Sequence, residues 1–139
     1  PDVRQSYILD GFPRTIAQAE ALASFSKPDS AVDFEVDDDL ILFRLTGRRV
    51  CKSCGAIYHI VTKPPATEGI CDICGGELYI RNDDREETVK IRLKAYHEES
   101  EPLIEYYSRQ GILMTIDGSP DPETVYDTFI SKIGRFLKK

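Results

Sequence analysis

Four cysteines stand in two pairs, Cys51-Lys-Ser-Cys54-Gly55 and Cys71-Asp-Ile-Cys74-Gly75, and they are the only cysteines in the 139 residues. The spacing C-x2-C-x16-C-x2-C is that of a zinc site closed by four thiolates, two from each of two turns. A glycine after each second cysteine allows the positive φ that a tight metal-binding turn needs. Four thiolates leave no coordination position for water. Such a site is structural, and it would hold together a loop from Cys51 to Cys74 that is too small and polar to build a core. Iron would accept the same thiolates; two disulfides or free thiols are the alternative use of the cysteines.

Arginines flank the loop. Arg44, Arg48 and Arg49 precede the first pair, and Arg81, Arg85 and Arg92 follow the second. The loop therefore leaves and rejoins the body of the protein through two cationic stems, an arrangement suited to covering a compact anion. Arginine offers a planar fork of donors that does not deprotonate, which matches phosphate oxygens. The plainer reading pairs Arg81 and Arg85 with the acids Asp83, Asp84, Glu86 and Glu87, which by default are helix-start charges. Arg92, at the edge of an apolar stripe, is expected to be partly buried and to need an anion. His59 is expected to form hydrogen bonds or to face a bound nucleotide, since the thiolates fill the metal shell, and Tyr58 to pack inside the loop. A second group is Asp10-Gly11-Phe12-Pro13-Arg14, a glycine turn directly after the apolar run Tyr7-Ile8-Leu9. Ligands of open α/β sheets sit at such strand ends.

The elements that must position these groups follow from pattern. Tyr7 to Asp10 reads as a short buried strand, and Thr15 to about Phe25 as a helix with Thr15-x-x-Gln18 as its capping box. Val32 to Val36 reads as a strand, and Asp37-Asp38-Asp39 as the start of a helix that Gly47 ends. After the loop, Asp83 to Glu87 crowd another helix start, with Val89, Leu93 and Tyr96 at helical spacing. A further helix has Pro102 in its first turn and Gly111 at its close. Ile112 to Ile116 is a buried-strand run. Asp121 and Pro122 then cap a last helix carrying Val125, Phe129, Ile130, Ile133, Phe136 and Leu137. Alternating strands and helices predict an α/β fold, a parallel sheet covered by helices on both faces, with the cysteine loop inserted as a small ribbon-like lid. The expected division is 1–46, 47–84 and 85–139. Three strands make a poor sheet, and the opening residues lack a methionine, so the chain is expected to be the later part of a longer protein.

The formal net charge is −6, which disfavours a general nucleic-acid binder. No segment resembles a signal peptide or a membrane span, and cysteines used for metal point to a reducing, cytoplasmic setting.

Taken in order, Asp10-Gly-Phe-Pro-Arg14-Thr-x-x-Gln18, Arg44-Leu-Thr-Gly-Arg48-Arg49, Tyr58-His59 with Pro64-Pro65, the four cysteines, and Arg81-x-Asp83-Asp84-x-Glu-Glu-Thr88-Val-x-x-Arg92 resemble adenylate kinase. The likeness is to the long, zinc-lidded bacterial type, and it runs from Tyr7 to about Leu137. It implies the P-loop nucleoside monophosphate kinase fold, here incomplete, and reversible phosphoryl transfer from ATP to AMP giving two ADP with Mg2+. It places Gly11, Phe12, Pro13, Arg14 and Gln18 at AMP, with Arg14 on the phosphate and Gln18 on the adenine. Arg81 and Arg92 become phosphate clamps shared with the transferred group, and Arg48 the lid arginine on the ATP phosphates. Arg44, Ile57, Tyr58 and Pro120 become ATP contacts, and Asp10 orders magnesium-bound water. The structural metal is zinc, and the complete protein is a monomer. The family's glycine-rich phosphate loop ending in Gly-Lys is absent from this sequence. This chain alone is therefore expected to be inactive or nearly so, with the missing segment cut away, lost to proteolysis or supplied in trans. Two other readings are a zinc-ribbon binding module and a folded but catalytically dead remnant. Gln18 also has competing roles, as capping partner of Thr15 or as adenine contact.

Overall fold

The computed structural model describes residues 6–136. In chain order the elements are α1 (Ile16–Ala23), β1 (Ala31–Glu35), α2 (Asp38–Thr46), β2 (Arg48–Cys51), β3 (Ile57–His59), β4 (Leu78–Tyr79), α3 (Glu86–Ala95), α4 (Pro102–Arg109), β5 (Leu113–Asp117) and α5 (Pro122–Phe136). They form two compact units. One is drawn from both ends of the chain, up to Glu35 and from Ala95 onward; the other is Val36–Lys94.

In the first unit β1 and β5 pair in parallel, from Ala31 opposite Leu113 to Glu35 opposite Asp117. Alternation along β5 puts Met114 and Ile116 into the core, Ile116 with no exposure at all. Ala19 of α1 packs with Leu103 and Tyr107 of α4, and Ile16, Ala31, Ile112 and Leu113 close around them. The parallel α/β arrangement expected from the sequence is thus present. The helix ends follow their caps. Thr15 Oγ1 accepts the Gln18 N–H at 3.2 Å, and Asp121 accepts the N–H groups of Glu123 and Thr124, both at 3.1 Å. Pro102 opens α4, and Gly111 closes it at φ 72°, a conformation that a Cβ would strain. A π-helical turn, Tyr96–Ser100, leads into α4; no sequence signal marked it. Leu137, expected on the last helix, lies outside the described residues.

Tyr7 to Asp10 is not a strand. The segment is exposed, Ile8 by 88%. An apolar run becomes a strand only where a neighbour takes its backbone hydrogen bonds, and no described strand pairs with it. The sheet of this unit accordingly has two strands rather than three.

The second unit is organised on β2. β3 and β4 flank it, both antiparallel, with Arg49 opposite Tyr58 and Cys51 opposite Leu78. Asp38 and Asp39 occupy the first turn of α2, and Gly47 ends it, as their charge and the glycine led one to expect. Gly47 has a second reason to be glycine: a Cβ there would stand 2.2 Å from His59 Nε2. His59 is buried. Its Nδ1 accepts the N–H groups of Val61 (3.1 Å) and Thr62 (3.2 Å), so Nε2 carries the proton and donates it to the Phe43 carbonyl at 3.0 Å. The ring also lies 4.7 Å from that of Phe43. His59 is therefore a hydrogen-bonded clasp between α2 and the loop, the first of the two roles expected for it.

Candidate functional site

Two clusters of chemistry lie in the Val36–Lys94 unit. The first is the cysteine knuckles. Each is a turn of the same form, with Gly55 N donating to the Cys51 carbonyl at 3.0 Å and Gly75 N to the Cys71 carbonyl at 2.9 Å. Both glycines have φ near 70°, at 75° and 70°, as the spacing required. Gly76 lets the second knuckle approach the first: a Cβ there would meet Ser53 Oγ at 2.6 Å and Cys51 Sγ at 3.0 Å.

All four sulfurs lie within 4.8 Å of one another, with Cys51 to Cys74 at 3.4 Å and Cys54 to Cys71 at 3.6 Å. A disulfide needs about 2.0 Å, and the cysteines are unpaired. A tetrahedron with metal–sulfur bonds of about 2.3 Å has edges of about 3.8 Å. The donor set and its dimensions fit a metal ion of the zinc kind. Among the described residues this is the group of His, Cys, Asp and Glu side chains able to hold one.

The protons agree with that geometry. The Tyr58 hydroxyl, more than any other neighbour, brings the Cys71 thiol down to about 6. Cys51 is lowered too, chiefly by a main-chain hydrogen bond from Cys54. A main-chain bond from Gly76 pulls Cys74 down, but the Cys51 and Cys54 side chains outweigh it and push Cys74 up to about 12. Crowded sulfurs cannot all ionise unless a cation takes up their charge.

The second cluster surrounds a single 3-10 turn, Asn82–Asp84. Asp84 is fully buried and grips Arg48 through both oxygens, Nε to Oδ2 at 2.8 Å and Nη2 to Oδ1 at 2.6 Å. That hydrogen bond is the main reason the Arg48 guanidinium holds its proton even more firmly than usual. Asp83 holds the other two arginines more lightly. Its carboxylate lies 3.6 Å from Arg81 Nη2, with both side chains largely exposed, and its carbonyl accepts from Arg92 Nη1 at 3.2 Å. So Arg48, Arg81 and Arg92, read from the sequence as phosphate-binding, are gathered by two consecutive aspartates.

Two expectations change here. Asp84 is not a helix-start charge but a buried anchor, and Arg92 is exposed rather than partly buried. An Asp-Asp pair two residues after a stem arginine was the available signal. Its meaning depended on β2 running alongside the turn, which sequence separation hides.

Tyr58 is 5% exposed and belongs to a small core with Cys51, Cys71 and Leu78. Its side chain is committed to the knuckles; Ile57 beside it is exposed. Arg44 lies half-buried in the last turn of α2.

The remaining residues singled out from the sequence belong to the other unit. Gly11 takes φ 73°, and Arg14 Nε folds back to donate to its carbonyl at 2.9 Å. The main chain of Arg14 is held on both sides, its N–H by Gln18 Oε1 at 2.7 Å and its carbonyl by the Ser100 hydroxyl at 2.7 Å. Gln18 thus caps one residue earlier than a capping box would, and its amide NH2 remains for another partner. The Phe12–Pro13 peptide is cis. Asp10 is exposed, and Pro120 lies half-buried between β5 and α5.

The chain thus combines a parallel α/β pair of strands, a four-cysteine cluster able to hold a metal ion and arginines gathered at a buried aspartate. Comparison with known proteins makes this specific: the family described as adenylate kinase matches residues 1–112, and the chain belongs to that family. Relatives named adenylate kinase include one from Caldicellulosiruptor saccharolyticus, 54% identical over 132 residues, covering 91% of this chain and 60% of the relative. Another, from Bacillus pumilus, is 51% identical over 142 residues, covering 99% and 65%. A third, from Thermosipho melanesiensis, is 46% identical over 140 residues, covering 97% and 65%. The chain thus spans 60% to 65% of the length of these relatives. No described helix is long and apolar enough to cross a membrane.

Proposed function

We propose that the complete protein transfers a phosphoryl group reversibly between ATP and AMP, giving two ADP, and that this chain alone is inactive or nearly so. The observation that carries the reading is the gathering of Arg48, Arg81 and Arg92 on the Asp83–Asp84 turn in a chain of the adenylate kinase family. Phosphoryl transfer asks for little covalent work, so catalysis reduces to aligning two nucleotides and neutralising the charge on the moving group. Asp84 uses two of the five donors of Arg48, and three remain for the ATP phosphates. The lighter hold on Arg81 and Arg92 leaves them free to exchange Asp83 for phosphate oxygens.

In this reading Gly11, Phe12, Pro13, Arg14 and Gln18 receive AMP; Arg44, Ile57 and Pro120 receive ATP, with Tyr58 contributing only its main chain because its side chain is committed to the knuckles; and Asp10 orders water on the nucleotide's Mg2+. The Cys51, Cys54, Cys71 and Cys74 site holds zinc and stiffens the lid, so that it closes as one body and excludes water from the reacting phosphates. The protein acts as a cytoplasmic monomer. The sequence holds no Gly-Lys phosphate loop, and without that cradle the ATP phosphates lack their main anchor.

The test is a coupled assay of ADP formation from ATP and AMP, on this chain alone and with the preceding segment of a relative added in trans. Activity in the mixture that is lost in Arg81→Ala supports the reading. A folded, zinc-loaded mixture without activity refutes it, and activity from this chain alone refutes the need for the phosphate loop.

A further inference from the structure

The two knuckles match in their backbone, and main-chain N–H groups support the first sulfur of each, Ser53 and Cys54 at Cys51, Ile73 and Cys74 at Cys71. Ser53 N donates to Cys51 Sγ at 3.4 Å in the first. The second has a further partner, a side chain thirteen residues earlier: the Tyr58 hydroxyl stands 3.4 Å from Cys71 Sγ and accepts the Asp72 N–H at 2.9 Å. A phenol has one proton to give. With the Asp72 N–H on the oxygen's lone pair, that proton points at the sulfur. Tyr58 is 5% exposed and Cys71 2%, so water does not compete for either.

We propose that Tyr58 is a positioning residue of the metal site: its hydroxyl donates to the Cys71 thiolate, takes the Asp72 N–H, and so fastens the second knuckle to strand β3. Four thiolates around a divalent cation leave excess negative charge on sulfur, and a hydrogen bond to one of them spreads that charge and fixes the sulfur's direction. The link also has a mechanical effect. Tyr58 lies opposite Arg49 in the β2–β3 ladder, so the metal, the second knuckle and the central strand are joined through one oxygen. The inference rests on the four cysteines holding a metal, and not on the phosphoryl-transfer reading.

Tyr58→Phe keeps the ring in its cluster with Cys51 and Leu78 and removes only the hydroxyl. On the full chain, zinc affinity is measured by competition with a coloured chelator, and the cobalt(II)-loaded chain is followed by its thiolate-to-metal absorption. The expected result is a loss of about 10-fold or more in zinc affinity, with the cobalt band moved to lower energy because a less stabilised sulfur gives up its electron more easily. Unchanged affinity with an unchanged band overturns the proposal. So does a loss of thermal stability that is equal in the metal-free and loaded chains, since that would make the hydroxyl a packing group only. Failure of the wild-type chain to take up zinc or cobalt would instead remove the metal reading itself. Should Tyr58→Phe not fold, the cadmium-113-loaded wild type decides: a hydroxyl proton of Tyr58 scalar-coupled to the metal through Cys71 supports the link, and its absence refutes it.

Discussion

Replacing Asp84 by asparagine tests the anchor beneath the arginine cluster. Asp84 has no exposed side-chain surface, whereas Arg48 keeps 26% of its own. The carboxylate accepts two charge-assisted hydrogen bonds, at 2.8 and 2.6 Å, each worth about 1.5 to 3 kcal/mol in such settings. Asparagine can accept one of them, but it turns an NH2 toward the other guanidinium donor and leaves the cation unneutralised. Breaking a buried pair in this way costs about 3 to 5 kcal/mol. Because Arg48 retains a path to water, the lower end applies, about 3 kcal/mol. The assay is urea unfolding of the zinc-loaded chain, comparing Asp84→Asn with Glu77→Gln. Glu77 pairs with Lys52 at 2.7 Å, but both side chains are more than half exposed, so its loss should cost less than about 1 kcal/mol. Equal small effects from the two substitutions would show that the buried carboxylate does not anchor Arg48 and would refute the argument.

Gly47→Ala drives a methyl group into the His59 ring, where the nearest atom would be 2.2 Å away; it should destabilise the chain by about 1 to 3 kcal/mol in thermal melts, while Gly69→Ala, with nothing within 4 Å, should cost only its φ strain. Asp33 has one buried oxygen without a partner, and burial, with Glu35 and Glu101 nearby, raises its carboxyl above the usual range. The folded state then holds this proton more firmly than the unfolded, so stability falls as pH rises from the unfolded value through the folded one. Asp33→Asn should therefore raise the melting temperature at neutral pH, with the gain vanishing near about pH 3, where either form is protonated. Removing the metal with a chelator should abolish amide-exchange protection across 47–80 while leaving the β1–β5 ladder protected, since Cys51, Tyr58, Cys71 and Leu78 form their own small core; loss of protection in both regions would contradict this.

The sequence by itself determined what local chemistry can determine. The two CxxC-Gly turns, the Thr15 and Asp121 caps, the acidic start of α2 and the glycines at 47 and 111 each act within a few residues, and each appears where its chemistry placed it. The four-cysteine cluster was legible for the same reason, because its sulfurs come from two short turns of fixed form. What tertiary structure decided were the contacts between residues far apart in sequence. Asp84 looked like one charge in an acidic run, and it became a buried anchor because Arg48, 36 positions away, lies beside it on β2. Tyr58 reads as an aromatic in a short strand, and its hydroxyl acquires a task only once the second knuckle folds over it. The run Tyr7 to Asp10 has the composition of a buried strand and is not one, because composition supplies a wish to be covered and only a neighbouring strand can supply the hydrogen bonds.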